Sequence, residues 1–238
     1  HGVPYTCKDL IDTAQVRTTY GSLVYQDHVP EHDAAVVERM RRAGPILIGK
    51  TTTSEFGAKC LTDAPLFGRT RNAWHAERTS GGSSGGTAVA VAAGIAPIGI
   101  GTDGGGSTRI PAACNGVVGL KQSNGVVPHS QVDDVFGNLT YVTPMTRDVA
   151  DTALMLQAMA VEDASDPWSI DAAVPDYEKA ARAEGDLCGK RILFCAAPEG
   201  RPIAVEVAAA FDASLARLRA LGADLIEMPA THFNIEPL

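Results

Sequence analysis

The chain has 238 residues, 45 % of them apolar and 20 % charged, with a formal net charge of −8. That is ample apolar material for one large α/β core, and no basic run exceeds Arg41–Arg42, which argues against direct nucleic-acid binding. Five cysteines (Cys7, Cys60, Cys114, Cys188, Cys195) form no CxxC pair; this is poor material for a disulfide framework or a metal site and points to a reducing, cytoplasmic setting.

Taken in order, Val3–Lys8 reads as a short strand ending at Asp9, and Thr13–Gly21 is polar and turn-rich. Glu31–Gly44 places Ala34, Val37, Met40 and, more loosely, Val36 on one helical face and stops at a glycine C-cap. Pro45–Gly49 is unbroken apolar and predicts a parallel strand buried on both faces. A helix over 85–94 returns through a strand, Ile95–Gly101; a further helix opens at Ser107, where Pro111 suits a first turn, and Val117–Lys121 is another strand. Arg147–Ala160 predicts an amphipathic helix with Val149, Ala153, Leu154, Leu156 and Met159 apolar, and Val161–Leu187 a surface crossing. The tail is β-α-β: Arg191–Cys195, Val205–Leu221 closed by Gly222, and Ala223–Met228. Strands alternating with helices predict an α/β fold, a mixed, mostly parallel sheet covered by helices on both sides. The longest apolar run, Ala88–Ile100, is too short and too interrupted to span a bilayer, and no signal peptide is visible.

Two serine-bearing glycine loops, Gly81–Gly86 and Gly104–Ser107, bracket an apolar segment of small residues, Ala88–Ile100. Glycine serves where backbone takes φ > 0 or approaches something closely. A pair of tight turns is the bland alternative, but few turns need six consecutive Gly/Ser residues, so the loops read as a site. GGSSGG followed by GTDGGGSTRIPAACNGVVGLK resembles the amidase signature family, serine hydrolases that cleave carboxamide C–N bonds. The resemblance is strong from Gly2 to about Ala160 and general from Gly189 onward. It implies Ser107 as nucleophile, Ser83 (after a cis peptide) as relay, and Lys8, from GVPYTCKD, as base. It also implies a small-molecule amide substrate, no cofactor and no metal, and leaves a homodimer open. Relatives carry a helical segment ahead of His1 and a second half behind Leu238. The chain is therefore expected to be a single amidase-signature domain that is a fragment, or the ordered part, of a longer protein.

This chemistry suits these residues. Serine is a weak nucleophile until a base takes its proton. A lysine can be that base if burial keeps it neutral, and Cys7, Leu10 and Ile11 are compatible with a partly apolar pocket around Lys8. Lys8 is too far along the chain for contact with Ser107 to be inferred, hence the relay at Ser83. The amides of Gly104, Gly105 and Gly106 would cradle the developing oxyanion, and the glycine at 104, where relatives often have a larger residue, loosens that cradle. Ser84, Thr102, Asp103 and Arg109 are expected to fix the loop's shape, with a surface salt bridge as the plain alternative for the last two. GLKQS (Gly119–Ser123) departs from the family's usual proline and threonine at Gln122 and Ser123. Gln131–Tyr141 lacks the S-S-L-D-Q-type run of the protein that supplies ammonia for tRNA-dependent amidation. That favours a stand-alone amidase over a glutaminase-type amidotransferase subunit; a catalytically silent fragment kept for binding is the other rival.

Two motifs are set aside. Gly44–Thr51 satisfies G-x4-G-K-[ST], but Pro45, Ile46, Leu47 and Ile48 are themselves the strand, and Pro45 lacks a donor that a phosphate would need; Lys50 is expected to be a strand-end residue. Gly81–Gly85 satisfies G-x-S-x-G, but polar Arg71–Ser80 is no strand, and His129 or His232 as base is the weaker reading. Trp74 and Trp168 receive no role.

Overall fold

The computed structural model describes residues 1–129, 139–169 and 173–228. It divides into two compact units, His1–Arg182 and Ala183–Leu238. The run 131–138 and His232 lie outside the described residues.

In the first unit a five-stranded sheet is built from β1 (Pro4–Lys8), β2 (Ile46–Thr51), β5 (Ile98–Asp103), β6 (Val118–Gly119) and β7 (Tyr141–Thr146), in the order β2-β1-β5-β7-β6. A small hairpin, β3 (Asp63–Ala64) with β4 (Gly68–Arg69), stands apart. β2 and β5 flank β1 in parallel, and β7 is antiparallel to both β5 and β6. Alternation along β1 decides what each face receives. Tyr5 and Cys7 join Ile98, Ile100 and Val142 in a core closed by α1 (Ala35–Ala43) and α4 (Val149–Met159), which contribute Val36, Val37, Met40, Met155, Leu156 and Met159. The opposite face carries α2 (Gly85–Ala92) and α3 (Arg109–Asn115), where Ala88 and Ala112 pack with Met145. Small residues let α2 lie close: a Cβ at Gly99 would stand 2.6 Å from the Thr87 methyl. The expectation of a mixed, mostly parallel sheet with helices on both faces is met.

Local differences have local causes. The strand predicted at Ile95–Gly101 begins at Ile98 and runs on to Asp103, because Gly94 ends the helix at φ 74° and Pro97 falls in the turn. The apolar run of β2 predicts burial on both faces, but β2 is the sheet edge among the described residues, with Ile46 and Ile48 exposed. On α4 the buried side is Thr152, Ala153, Met155, Leu156 and Met159, while Val149 and Leu154 are exposed. The crossing at Val161–Leu187 contains a short helix, α5 (Tyr177–Ala181). β7 has no counterpart among the predicted elements. Pro144 sits in its middle and donates no ladder bond, a residue that argues against a central strand.

The second unit pairs β8 (Arg191–Phe194) and β9 (Asp224–Glu227) in parallel through α6 (Val205–Ala220), the β-α-β read from the sequence. Leu215 is its buried helical anchor, and the rings of Phe194 and Phe211 meet at 6.2 Å. Among the described residues no helix is long and apolar enough to cross a membrane.

Candidate active site

Lys8 is the last residue of β1 and follows Thr6 onto the α2 side of the sheet. It is 0 % exposed. Its Nζ lies 2.6 Å from Ser83 Oγ, 2.8 Å from Ser84 Oγ and 2.8 Å from Thr102 Oγ1. Burial pushes the amine's pKa well below its ordinary value, against the smaller opposing pull of the Asp103 carboxylate. The roles of the three hydroxyls differ. Ser84 donates to the Thr102 carbonyl at 3.1 Å and accepts the Thr102 amide at 3.2 Å, so it can only accept from Lys8. The lone pair of a neutral Lys8 is then left to the hydroxyl of Ser83 or Thr102.

The two glycine loops do meet. The Ser84 amide donates to the Ser107 carbonyl at 3.0 Å. Ser107 is 9 % exposed against 0 % for Ser83, so Ser107 is the serine that reaches the open side. The Gly82–Ser83 peptide is cis. The path of this loop is set by close backbone approach, since a Cβ at Gly82 would fall 2.3 Å from the Leu61 carbonyl carbon and one at Gly86 2.5 Å from the Thr52 amide. Thr62, which sequence reasoning passed over, holds the loop from below: its hydroxyl donates to the Gly81 carbonyl at 2.9 Å and accepts the Gly85 amide at 2.9 Å.

Asp103 ends β5 and organises the second loop. Its buried carboxylate accepts the amides of Gly106 (2.7 Å), Thr108 (3.2 Å) and Arg109 (3.2 Å), and the Arg109 guanidinium at 2.9 and 3.0 Å. Burial alone would raise its pKa; the Arg109 side chain and the three amides overcome that and hold the carboxyl well below the usual range. Arg109 is half-exposed, but its partner carboxylate is fully buried, so the pair differs from a bridge between two exposed side chains. Of the three predicted cradle amides, that of Gly106 is occupied by Asp103, which leaves Gly104 and Gly105. Gly105 is exposed and a Cβ there would meet nothing within 4 Å.

The set-aside motifs resolve simply. Lys50 Nζ donates to the Ile11 carbonyl and to Thr13 and Thr18 (3.0 and 3.1 Å), tying the loop after β1 to the end of β2. His129 is linked through its amide to Asp166, and among the described residues no histidine bonds to Ser83 or Ser107. Trp74 donates its indole N–H to the Asn115 carbonyl at the end of α3.

Comparison with known proteins gives one answer. The family model described as Amidase matches residues 1–236. The chain is 43 % identical over 235 residues to a glutamyl-tRNA(Gln) amidotransferase subunit of Mycobacteroides abscessus, covering 98 % of this chain and 48 % of that one. It is 43 % identical over 227 residues to an acylamidase of Rhodococcus erythropolis, covering 95 % and 47 %. The solved structure of a bacterial aryl acylamidase of the amidase signature enzymes superposes with a TM-score of 0.86 at 32 % identity, covering 95 % of this chain and 47 % of that one. The chain thus spans about half the length of the relatives it matches.

Proposed function

Because this chain belongs to the amidase signature family, we propose that its site hydrolyses a carboxamide C–N bond through an acyl-Ser107 intermediate. The observation that carries the reading is the fully buried Lys8 amine, 2.6 Å from Ser83 in a loop bonded to Ser107. Neutral Lys8 accepts the Ser83 proton while Ser83 takes that of Ser107. The Ser107 oxygen bonds to the substrate carbonyl carbon, and the amides of Gly104 and Gly105 receive the developing negative charge. The C–N bond then breaks, the proton returns along the same relay to the departing nitrogen, and water repeats the sequence on the acyl-serine to release the acid. Ser84 and Thr102 hold Lys8 in place, and Asp103 with Arg109 fixes the loop.

One observation favours a second reading: a relative at 43 % identity is an amidotransferase subunit, in which amide cleavage would feed a partner rather than stand alone. A hydrolysis screen of aliphatic, aryl and amino-acid amides on the purified full-length protein separates the two. Turnover of a simple amide without any partner supports the stand-alone amidase. Ammonia release from glutamine only in the presence of a partner protein supports the amidotransferase. No turnover of any amide in either setting removes the proposal and leaves the silent-fragment reading.

A further inference from the structure

Lys121 lies outside every role assigned so far, yet it touches the loop that carries the nucleophile. It follows β6 on a segment fastened along β7: the Leu120 amide donates to the Pro144 carbonyl at 3.3 Å and the Gln122 side-chain amide to the Val142 carbonyl at 2.8 Å. β5 flanks β7 on its other edge, with Asp103 opposite Tyr141. Strand pairing thus sets Asp103 beside Tyr141, and the segment that follows β6 lets the Lys121 side chain reach both. The Lys121 Nζ donates to the Gly104 carbonyl at 2.6 Å, lies 3.7 Å from Asp103 Oδ1 and sits 4.2 Å above the Tyr141 ring centroid. Its side chain is only 19 % exposed.

The Gly104 carbonyl and the Gly105 N–H belong to one planar trans peptide and point in opposite directions. Anchoring the oxygen therefore aims the hydrogen. Neither glycine is crowded: a Cβ at Gly104 would meet its nearest neighbour, the Leu139 carbonyl oxygen, only at 3.6 Å, and one at Gly105 nothing within 4 Å. A charge-assisted bond to the carbonyl both fixes this plane and polarises it, which makes the Gly105 amide a stronger donor. We propose that Lys121 is a positioning residue that orients the Gly105 amide toward the oxyanion formed at Ser107. The inference rests on the reading of Ser107 as the acylated nucleophile.

The test compares wild type, Lys121→Met and Lys121→Arg in the full-length protein. Amide turnover is measured alongside inhibition by a trifluoromethyl ketone, which forms a tetrahedral adduct, and by an unreactive carboxamide of the same shape. In Lys121→Met, kcat should fall about 10- to 100-fold while KM stays within about twofold. Affinity for the ketone should fall by a like factor and that for the carboxamide should not move; Lys121→Arg should recover part of both losses. If Lys121→Met does not fold, Lys121→Gln decides the matter by showing a smaller loss of the same selective kind. Wild-type kcat and ketone affinity in the folded variant, or equal losses for ketone and carboxamide, would overturn the inference alone. A wild-type protein that neither turns over an amide nor forms the ketone adduct at Ser107 would overturn the nucleophile reading, and this inference with it.

Discussion

Lys8 concentrates the physics of the site. For an amine with no solvent exposure and three hydroxyl neighbours, desolvation favours the neutral form and outweighs the attraction of Asp103. If the neutral form is the base, kcat/KM should rise with pH along a limb set by the folded Lys8, below the ordinary value of 10.5. In Lys8→Ala the rate should drop by several orders of magnitude and that limb should vanish; near-normal turnover with the limb unmoved would mean that the base lies elsewhere. Stability gives an independent readout. The folded pKa is depressed, so between it and 10.5 the unfolded chain binds more protons than the native one, and unfolding free energy should increase with pH across that window. Denaturant titrations at several pH values should find this slope in the wild type and not in Lys8→Met. The chemical identities of Lys8, Ser83 and Ser107 were legible in the sequence because they sit in long motifs. The contributions of Thr62 and Lys121 were not: a threonine in a loop carries no local pattern, and Lys121, although it ends the GTDGGGSTRIPAACNGVVGLK stretch, shows its partners only once the loops pack together.

At the level of elements, the unit from Gly81 to Ser107 was legible because glycine marks places where backbones touch. Gly86→Ala should destabilise the fold by about 1–3 kcal/mol, since its Cβ must displace Thr52 backbone at 2.5 Å. Gly82→Val should cost at least as much against Leu61, whereas Gly105→Ala should leave the unfolding midpoint unchanged because nothing stands in its way. Equal midpoints for all three variants would mean that the loop's path is not fixed by these contacts. What escaped the sequence were features decided across strands. β7 hides behind Pro144, and the exposed edge at β2 looks like a buried strand because Ile46, Leu47 and Ile48 read the same whether a neighbour covers them or not. The helix α4 was found, and Ala153, Leu156 and Met159 are buried as expected, but Thr152 and Met155 join them on the inner side while Val149 and Leu154 face out.

On the scale of the molecule, the first unit holds every residue of the proposed relay, and the chain covers about half the length of its relatives. The chemistry proposed for the relay can be tested at one atom. The most direct measurement is to react the full-length protein with a fluorophosphonate probe and map the modified residue by mass spectrometry. One label is expected, on the Ser107 oxygen, formed at a rate that rises with pH and collapses in Lys8→Ala. A label on Ser83 with Ser107 unmodified, or labelling of Ser107 that is indifferent to the loss of Lys8, would contradict the proposed mechanism.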